Sequence, residues 1–306
     1  MVKFVQVFLR KEQAMASEKW KNTVCRAKEY LSMRFYENRK CILSPETAIV
    51  LGTGWGNVLM EKMPEALKIP FSQVPGFEYL EKMGEIAGHA REVVMDDLLV
   101  NPYPHTRSRL HEVIMLRGRI HLNEDFDFGQ VSKMVRLQIE MLLKLGVKNL
   151  ILTNAAGSLR PEVKVGDIVA HDGFITLFAP KRPLTSGEFV SPEDMLKEAN
   201  IREIEECAQK VGLNCHRGAG AMVSGPDFEG RKHDKRIMRE FGATMAMMSI
   251  LPEVAVAALY PRTNVYAISF ITNTDSEEHS HEDNQVRAKA SADKLGALLL
   301  NLIISL

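Results

Sequence analysis

The chain has 306 residues, with 39 Lys and Arg against 39 Asp and Glu, and 45% of its residues are hydrophobic. This is the composition of an ordinary globular protein, and the balanced charge removes the electrostatic reason to expect nucleic acid or an anionic membrane as a partner. No run of about 18 apolar residues could span a bilayer. The four cysteines lack CxxC spacing and the N-terminus lacks a signal-peptide pattern, so we expect a soluble cytoplasmic protein.

Predicted helices and strands alternate along the chain. Residues 1–16 are predicted as an N-terminal extension, and apolar periodicity predicts helices over 17–38 and 129–146, the second ending at Gly146. The other predicted elements are strands at 47–51, within 65–100, at 111–116, 148–154 and 167–177, a helix over 191–212 with a Ser/Asp cap, a strand at 219–225, a helix after Pro226, a strand at 265–273 and a helix over 285–306. This alternation predicts a single α/β domain over 1–306, with a central mixed, largely parallel sheet flanked by helices.

A glycine-rich turn follows the first predicted strand, at residues 52–56. Glycines there let backbone amides approach an anion, to which the Thr53 hydroxyl could donate. Position 57 is Asn, so the GxGxxG dinucleotide pattern is not met, and the chain has no GK[ST] motif. An anion site and a plain structural turn both remain consistent with this segment.

Arg119 and His121 follow another predicted strand, and their spacing of two predicts that they face the same side. Arginine is suited to a bidentate grip on phosphate, and histidine would add a neighbouring donor. A surface salt bridge is an equally consistent explanation. His89, next to Gly88, favours a structural role when it is considered alone.

Several further segments place functional side chains where strands or turns end. Asn154–Gly157 could expose backbone amides to an anion, or could form a tight turn. Phe228 and Glu229 suit a heterocycle, because a phenyl ring stacks on it and a carboxylate accepts from a ring N–H; a helix start with an acidic first turn is the structural alternative. The Asn273 amide carries both a donor and an acceptor for a base edge. His279 and His281 lie in a polar acidic segment, for which we predict solvent exposure and no metal.

Taken together and in order, these segments resemble the trimeric class of purine nucleoside phosphorylases. The matching motifs are LGTGWG (51–56), GHA (88–90), RGRIH (117–121), LLKLGVKNLILTNAAGSL (142–159), VGDI (165–168), SGPDFEG (224–230), MSILPEV (248–254) and ITN (271–273). Each motif alone is weak, whereas the set in register is specific. The resemblance implies a homotrimeric pentosyltransferase with the nucleoside phosphorylase fold. Its reaction is the reversible phosphorolysis of a purine nucleoside to the free base and ribose 1-phosphate.

The resemblance also implies roles for individual residues. Phosphate would be bound by Thr53, His89, Arg119, His121, the Ala155 amide and Ser249. The purine and ribose would be bound by Phe228, Glu229, Met248, Asn273, Asn123 and His281, and the residues assigned to catalysis are Asn273, Glu229 and His121. Inorganic phosphate is the co-substrate, and neither a metal nor an organic cofactor is expected.

Base choice is expected to follow from Asn273. An amide can pair with a 6-oxo group, whereas relatives that use 6-amino substrates usually carry Asp at that position, so we expect inosine and guanosine as substrates. The ribose side departs from the family pattern: Asn123 and Gly220 stand where tyrosines are expected, and Met247 replaces a small residue. Phe189 is the candidate for the phenylalanine that covers the sugar of a neighbouring subunit, and His279 competes with His281 for the 5′-hydroxyl.

Two alternatives to a 6-oxopurine nucleoside phosphorylase follow from these departures. A 5′-methylthioadenosine phosphorylase would suit a shorter sugar-end loop, although Asn273 argues against it. A relative that binds purine or phosphate without catalysis would suit the missing tyrosines, although Thr53, Arg119 and Glu229 are present.

Overall fold

The computed structural model describes residues 2–84, 89–100, 109–225, 233–274 and 291–306. The described strands are β1 (Thr47–Leu51), β2 (Leu67–Pro70), β3 (Glu92–Val100), β4 (Arg109–Arg117), β5 (Asn149–Ser158), β6 (Ile168–Ile175), β7 (Cys215–Met222), β8 (Met245–Met247) and β9 (Asn264–Thr274). The described α-helices are α1 (Val2–Arg39), α2 (Phe128–Lys144), α3 (Glu198–Lys210), α4 (Asp234–Glu240), α5 (Leu251–Ala257) and α6 (Ala292–Ser305). None of these helices is long and apolar enough to cross a membrane.

The described strands form one mixed sheet in the order β2-β3-β4-β1-β5-β8-β7-β6-β9. A further pairing between β5 and β9 closes β5, β8, β7, β6 and β9 into a ring. β1 runs parallel to β4 and β5, and β5 runs parallel to β9, whereas β2–β3, β3–β4, β5–β8 and β6–β9 are antiparallel. The predicted α/β fold with a mixed sheet is therefore confirmed.

The sheet is covered on both faces, as strand β1 shows. All five residues of β1 are buried. Ala48 and Val50 join the hydrophobic core that α1, α2 and α5 cover, whereas Ile49 and Leu51 join the core that α3 and α6 cover. Successive side chains of a strand point to opposite faces, so a strand between two helical layers must be apolar throughout.

Helix α2 forms as the sequence predicts, because its two ends carry capping residues. The Asp127 carboxylate accepts a hydrogen bond from the Gln130 amide at 3.1 Å, which satisfies one of the free N–H groups of the first turn. Gly146, just beyond the last turn, has a φ of +105°, a left-handed conformation that glycine adopts without strain.

The starts of two helices differ from the predicted ones, and one strand was not predicted. The first helix begins at Val2 rather than at residue 17. The helix predicted from 191 begins at Glu198, because Leu196 and Lys197 leave helical geometry after a 3-10 turn at Pro192–Met195, and Ser191 makes no capping hydrogen bond. The three-residue strand β8 was not predicted, since its apolar run lacks strand alternation and is defined by pairing with β5 and β7. Residues 101–108 and the start of the helix predicted after Pro226 lie outside the described residues.

Candidate active site

Several of the predicted site residues lie near one edge of the sheet. Strands β1, β5 and β9 lie side by side in parallel, so their carboxyl ends meet at the same edge. Thr53 lies just beyond β1, Asn273 is the second-last residue of β9, and Ala155 lies in the carboxyl-terminal half of β5. Arg119 follows the end of β4, which is parallel to β1, and Ser249 follows β8. This is the edge at which α/β proteins bind their ligands.

The turn after β1 is fixed against β5. A Cβ atom at Gly52 would lie 2.5 Å from the Thr153 carbonyl oxygen and 2.8 Å from the Asn154 Cα, so only glycine fits. The Gly52 amide donates to Thr153 Oγ1 at 3.2 Å, and the buried Trp55 donates its indole N–H to the Asn154 carbonyl at 3.0 Å. These contacts hold Thr53 at the edge of the sheet.

Thr53 contacts one of two imidazole rings that pack against each other. Thr53 Oγ1 is 3.3 Å from His89 Nε2, and the ring of His121 meets the ring of His89 edge to face, with centroids 5.0 Å apart. The Arg119 amide donates to His89 Nδ1 at 3.1 Å, which places the proton of a neutral His89 ring on Nε2. His89 Nε2 then donates to Thr53, whose own hydroxyl proton can point toward an anion.

The His121 ring is oriented by a carboxylate. His121 Nδ1 lies 2.8 Å from Glu124 Oε1, which also accepts from the His121 amide at 2.7 Å. The second oxygen of Glu124 pairs with Arg91 at 2.8 Å. A carboxylate partner at Nδ1 fixes both the orientation and the tautomer of an imidazole. Glu124 and Arg91 were not singled out in the sequence, although the spacing of three between His121 and Glu124 is a local signal that was available.

The guanidinium of Arg119 lies inside the protein, where it bonds to Glu253 and to backbone carbonyls. Strand β4 ends before Arg119, so the strand alternation that predicted a shared face does not apply. Arg119 Nη1 donates to Glu253 Oε1 at 2.7 Å, and Nη2 donates to the carbonyls of Val50 and Thr153. Its side chain is wholly buried, and this burial lowers the pKa of Arg119 while Glu253 raises it. Arg119 therefore ties β1 and β5 to helix α5.

A second buried arrangement runs from strand β6 to Ser249. His171 Nε2 lies 2.8 Å from Ser269 Oγ, Ser269 Oγ donates to Asn154 Oδ1 at 2.5 Å, and Asn154 Nδ2 donates to Ser249 Oγ at 3.4 Å. His171 and Ser269 were missed in the sequence. No local pattern could have found them, because a single histidine or serine in an apolar strand is usually structural.

The amide of Asn273 is held at the end of β9. Thr272 Oγ1 donates to Asn273 Oδ1 at 3.2 Å. A Cβ atom at Gly157, on the neighbouring strand β5, would come within 2.7 Å of Asn273 Nδ2, so a larger residue there would displace the amide. Asn273 is buried, and its oxygen already has a partner. In the described part of the chain its N–H bonds make no hydrogen bond, so they can meet a ligand acceptor, and the oxygen keeps one lone pair.

The remaining predicted site residues differ in their exposure. Asn123 is exposed, whereas Met248, predicted to contact the ribose, and Ala155, predicted to bind phosphate, are half-buried. Phe189 is 93% exposed and is anchored through its neighbour Glu188, which forms an ion pair with Arg136 at 2.7 Å. The predicted residues that lie outside the described part of the chain are Phe228, Glu229, His279 and His281.

Gly220 and Met247 lie against each other. A Cβ atom at Gly220 would lie 2.6 Å from Met247 Cε, 2.8 Å from Met247 Sδ and 3.1 Å from His171 Cε1. Both residues are buried, and the methionine side chain therefore fills the space that a side chain at position 220 would take.

Comparisons with known proteins point to one family. A family model described as the phosphorylase superfamily matches residues 100–304. The chain is 30% identical over 262 residues to the purine nucleoside phosphorylase of Mycobacterium tuberculosis, covering 84% of this chain and 88% of that protein. It is 28% identical over 302 residues to the Bos taurus purine nucleoside phosphorylase, covering 92% and 97%. Isoform 2 of the Schistosoma mansoni enzyme, solved with cytosine and ribose-1-phosphate, shares the fold at a TM-score of 0.73 and 21% identity, covering 93% and 96%.

Proposed function

Because the chain belongs to the phosphorylase superfamily, and within it to the purine nucleoside phosphorylases, we propose that it phosphorolyses 6-oxopurine nucleosides. Inosine and guanosine would yield the free base and ribose 1-phosphate. The observation that carries this proposal is the meeting of an anion-suited cluster, Thr53 with His89 and His121, and a base-suited amide, Asn273, at the same edge of the sheet.

The phosphate end is proposed at the turn after β1. The Thr53 hydroxyl, the His89 and His121 rings, the Ala155 amide and the Ser249 hydroxyl would donate to its oxygens. Such donors, fixed in place before the reaction, need little reorganisation when charge develops. Arg119 would contribute the positive potential of its guanidinium from beneath the turn, with Glu253 as its partner.

The base end is proposed at Asn273. The Thr272 hydroxyl donates to the Asn273 oxygen, which leaves the amide N–H bonds to donate to the 6-oxo group. A 6-amino group offers no such acceptor, and this supports inosine and guanosine over adenosine. By resemblance, Phe228 would stack on the base and Glu229 would accept from its ring N–H.

In the proposed reaction the bond between C1′ of the ribose and N9 of the purine breaks first. Its electron pair goes to the purine, where the Asn273 N–H bonds stabilise the negative charge, and one proton taken up from solvent at a ring nitrogen gives the neutral base. The sugar becomes oxocarbenium-like, the bound phosphate stabilises this cation, and a phosphate oxygen then forms the new bond to C1′. Positioning and electrostatic stabilisation account for the whole step, so we propose no metal or organic cofactor.

We also propose a ribose site formed by Met248, Asn123 and His281, and a cytoplasmic homotrimer as the working form. No partner of nucleic acid or membrane is proposed. The exposed Phe189, held through the Glu188–Arg136 ion pair, would face the sugar of a neighbouring subunit in such a trimer.

The test is phosphate-dependent release of hypoxanthine from inosine, measured beside adenosine and 5′-methylthioadenosine. We expect turnover of inosine that is lost without phosphate and strongly reduced in Asn273→Ala. Asn264→Ala, at the opposite end of β9, is the matched control and should remain active.

Two outcomes would replace the proposal. Preferential turnover of methylthioadenosine would indicate the 6-amino, 5′-thio member of the family. Calorimetric binding of hypoxanthine and phosphate without turnover of any nucleoside would indicate a binding protein, which the altered sugar side would explain.

A further inference from the structure

His171 is a polar residue in an apolar setting. It lies on β6, is only 1% exposed, and its ring packs against Phe174 with centroids 5.4 Å apart. Its Nδ1 has no hydrogen-bond partner, whereas its Nε2 lies 2.8 Å from Ser269 Oγ. A buried polar atom without a partner costs free energy, so an apolar side chain of similar size would be more stable here unless the imidazole has a function.

The hydrogen bonds fix the direction in which His171 acts. Ser269 has a single hydroxyl proton, and it donates that proton to Asn154 Oδ1 at 2.5 Å. The contact between His171 and Ser269 must then be a donation from His171 Nε2–H to the serine oxygen. Nδ1 carries no proton, which agrees with its lack of a partner. Burial lowers the pKa of His171 to about 3, so the ring remains neutral near neutral pH and keeps this single donor.

The same direction continues to the proposed phosphate site. With its oxygen held by Ser269, the Asn154 amide directs Nδ2 to Ser249 Oγ at 3.4 Å. Ser249 then accepts a hydrogen bond from the protein side, so its own proton is available to a ligand. Three hydrogen bonds, which link groups on β6, β9, β5 and the segment after β8, thus run in one direction, and hydrogen bonds in such a chain polarise one another.

We propose that His171 is a positioning residue for phosphate: acting through Ser269 and Asn154, it holds Ser249 with its hydroxyl proton directed at the anion. This inference rests on the proposed function, because it takes inorganic phosphate as the ligand of Ser249. His171 touches neither substrate, and its effect should fall on phosphate and not on the nucleoside.

The test compares two substitutions at one position. His171→Leu fills similar space but has no donor, whereas His171→Gln retains an N–H at nearly the distance of Nε2. Loss of one oriented hydrogen bond should raise the KM for phosphate about three- to tenfold in His171→Leu, with the KM for inosine changed less than twofold. His171→Gln should return the phosphate KM to within about twofold of the wild type.

A control separates positioning from packing. Ile168→Val, on the same strand but facing the other core, should lower the melting temperature and leave the KM for phosphate unchanged. If His171→Leu does not fold, Ser269→Ala removes the middle link of the chain and should show the same selective rise in phosphate KM. Calorimetric titration with inorganic phosphate would give the same ranking without turnover.

Several results would overturn the inference. One is an unchanged phosphate KM in His171→Leu, or in Ser269→Ala if that variant must be used. Another is an equal rise in the KM of both substrates, and a third is failure of His171→Gln to restore phosphate binding. These results differ from a failure of the proposed function, in which the wild-type protein itself would not release hypoxanthine from inosine.

Discussion

The buried ion pair between Arg119 and Glu253 can be tested directly by removing the charge of Glu253. Both side chains are at most 2% exposed, and their atoms meet at 2.7 Å. Glu253→Gln keeps an oxygen that can accept from Arg119 Nη1 but removes the charge. Breaking a buried pair by removing one partner costs about 3–5 kcal/mol, and the retained hydrogen bond offsets about 1 kcal/mol of this. We therefore expect a loss of about 2–4 kcal/mol in the free energy of unfolding.

Urea denaturation at neutral pH, at one fixed protein concentration, measures this loss. The fixed concentration matters because association of subunits would contribute to the apparent stability. Glu240→Gln is the matched control: its partner Arg236 lies 3.6 Å away, both side chains are more than half exposed, and its removal should change little. The phosphate KM is measured on the same variants.

A Glu253→Gln protein that loses less than about 1 kcal/mol in the free energy of unfolding would contradict the buried ion pair. If such a protein also showed a changed KM for phosphate, the Arg119 guanidinium would face the phosphate and not the interior. A large loss of stability with little change in phosphate affinity per folded molecule would support the buried pair.

Three further predictions concern His171, Thr272 and Gly220. The pKa of His171 is 6.5 in the unfolded chain and about 3 in the folded protein, so between these values only the unfolded state takes up the proton. The free energy of unfolding should therefore fall as the pH drops from 6.5 toward 3, by up to about 1.4 kcal/mol per pH unit. Acid unfolding curves of His171→Gln should lack this contribution. Thr272→Val, which frees the Asn273 oxygen, should raise the KM for inosine more than that for adenosine, and equal changes would contradict the assigned amide orientation. Gly220→Ala should lower the melting temperature, and adding Met247→Ala should recover part of that loss; additive losses would show that the two side chains do not compete for space.

The parts of the fold that could be predicted are those that depend on local pattern. The capped, periodic helix α2 lies within two residues of its predicted bounds, and β5 begins within one residue of its predicted start but ends four residues later, at Ser158. Burial on both faces and helical caps leave a direct mark on the sequence. Strand β8 left no such mark, since three residues become a strand only through pairing with β5 and β7. The family that the ordered motifs indicated is confirmed by the relatives, whereas the roles of individual residues stay predictions.

The candidate site shows the same division. Thr53, Ala155 and Asn273 could be placed at one edge, since strand ends and parallel order follow from the pattern. The orientation of Arg119 could not be predicted, because its partner Glu253 lies 134 residues away along the chain. His171 could not be identified for the same reason: its meaning depends on Ser269, which a different strand brings to it.

The sequence departures at Gly220 and Met247 form a single structural feature and not two separate defects. The methionine side chain takes the space beside Gly220. The His171 ring borders the same space, since its Cε1 lies 3.1 Å from the position that a Cβ atom at residue 220 would take. A bulky residue at 220 would therefore displace both the methionine and the ring that donates to Ser269. The loss of the tyrosine expected at 220 thus coincides with room for His171 and its connection to Ser249. If His171 acts as proposed, this region exchanges a contact on the sugar side for an additional support on the phosphate side.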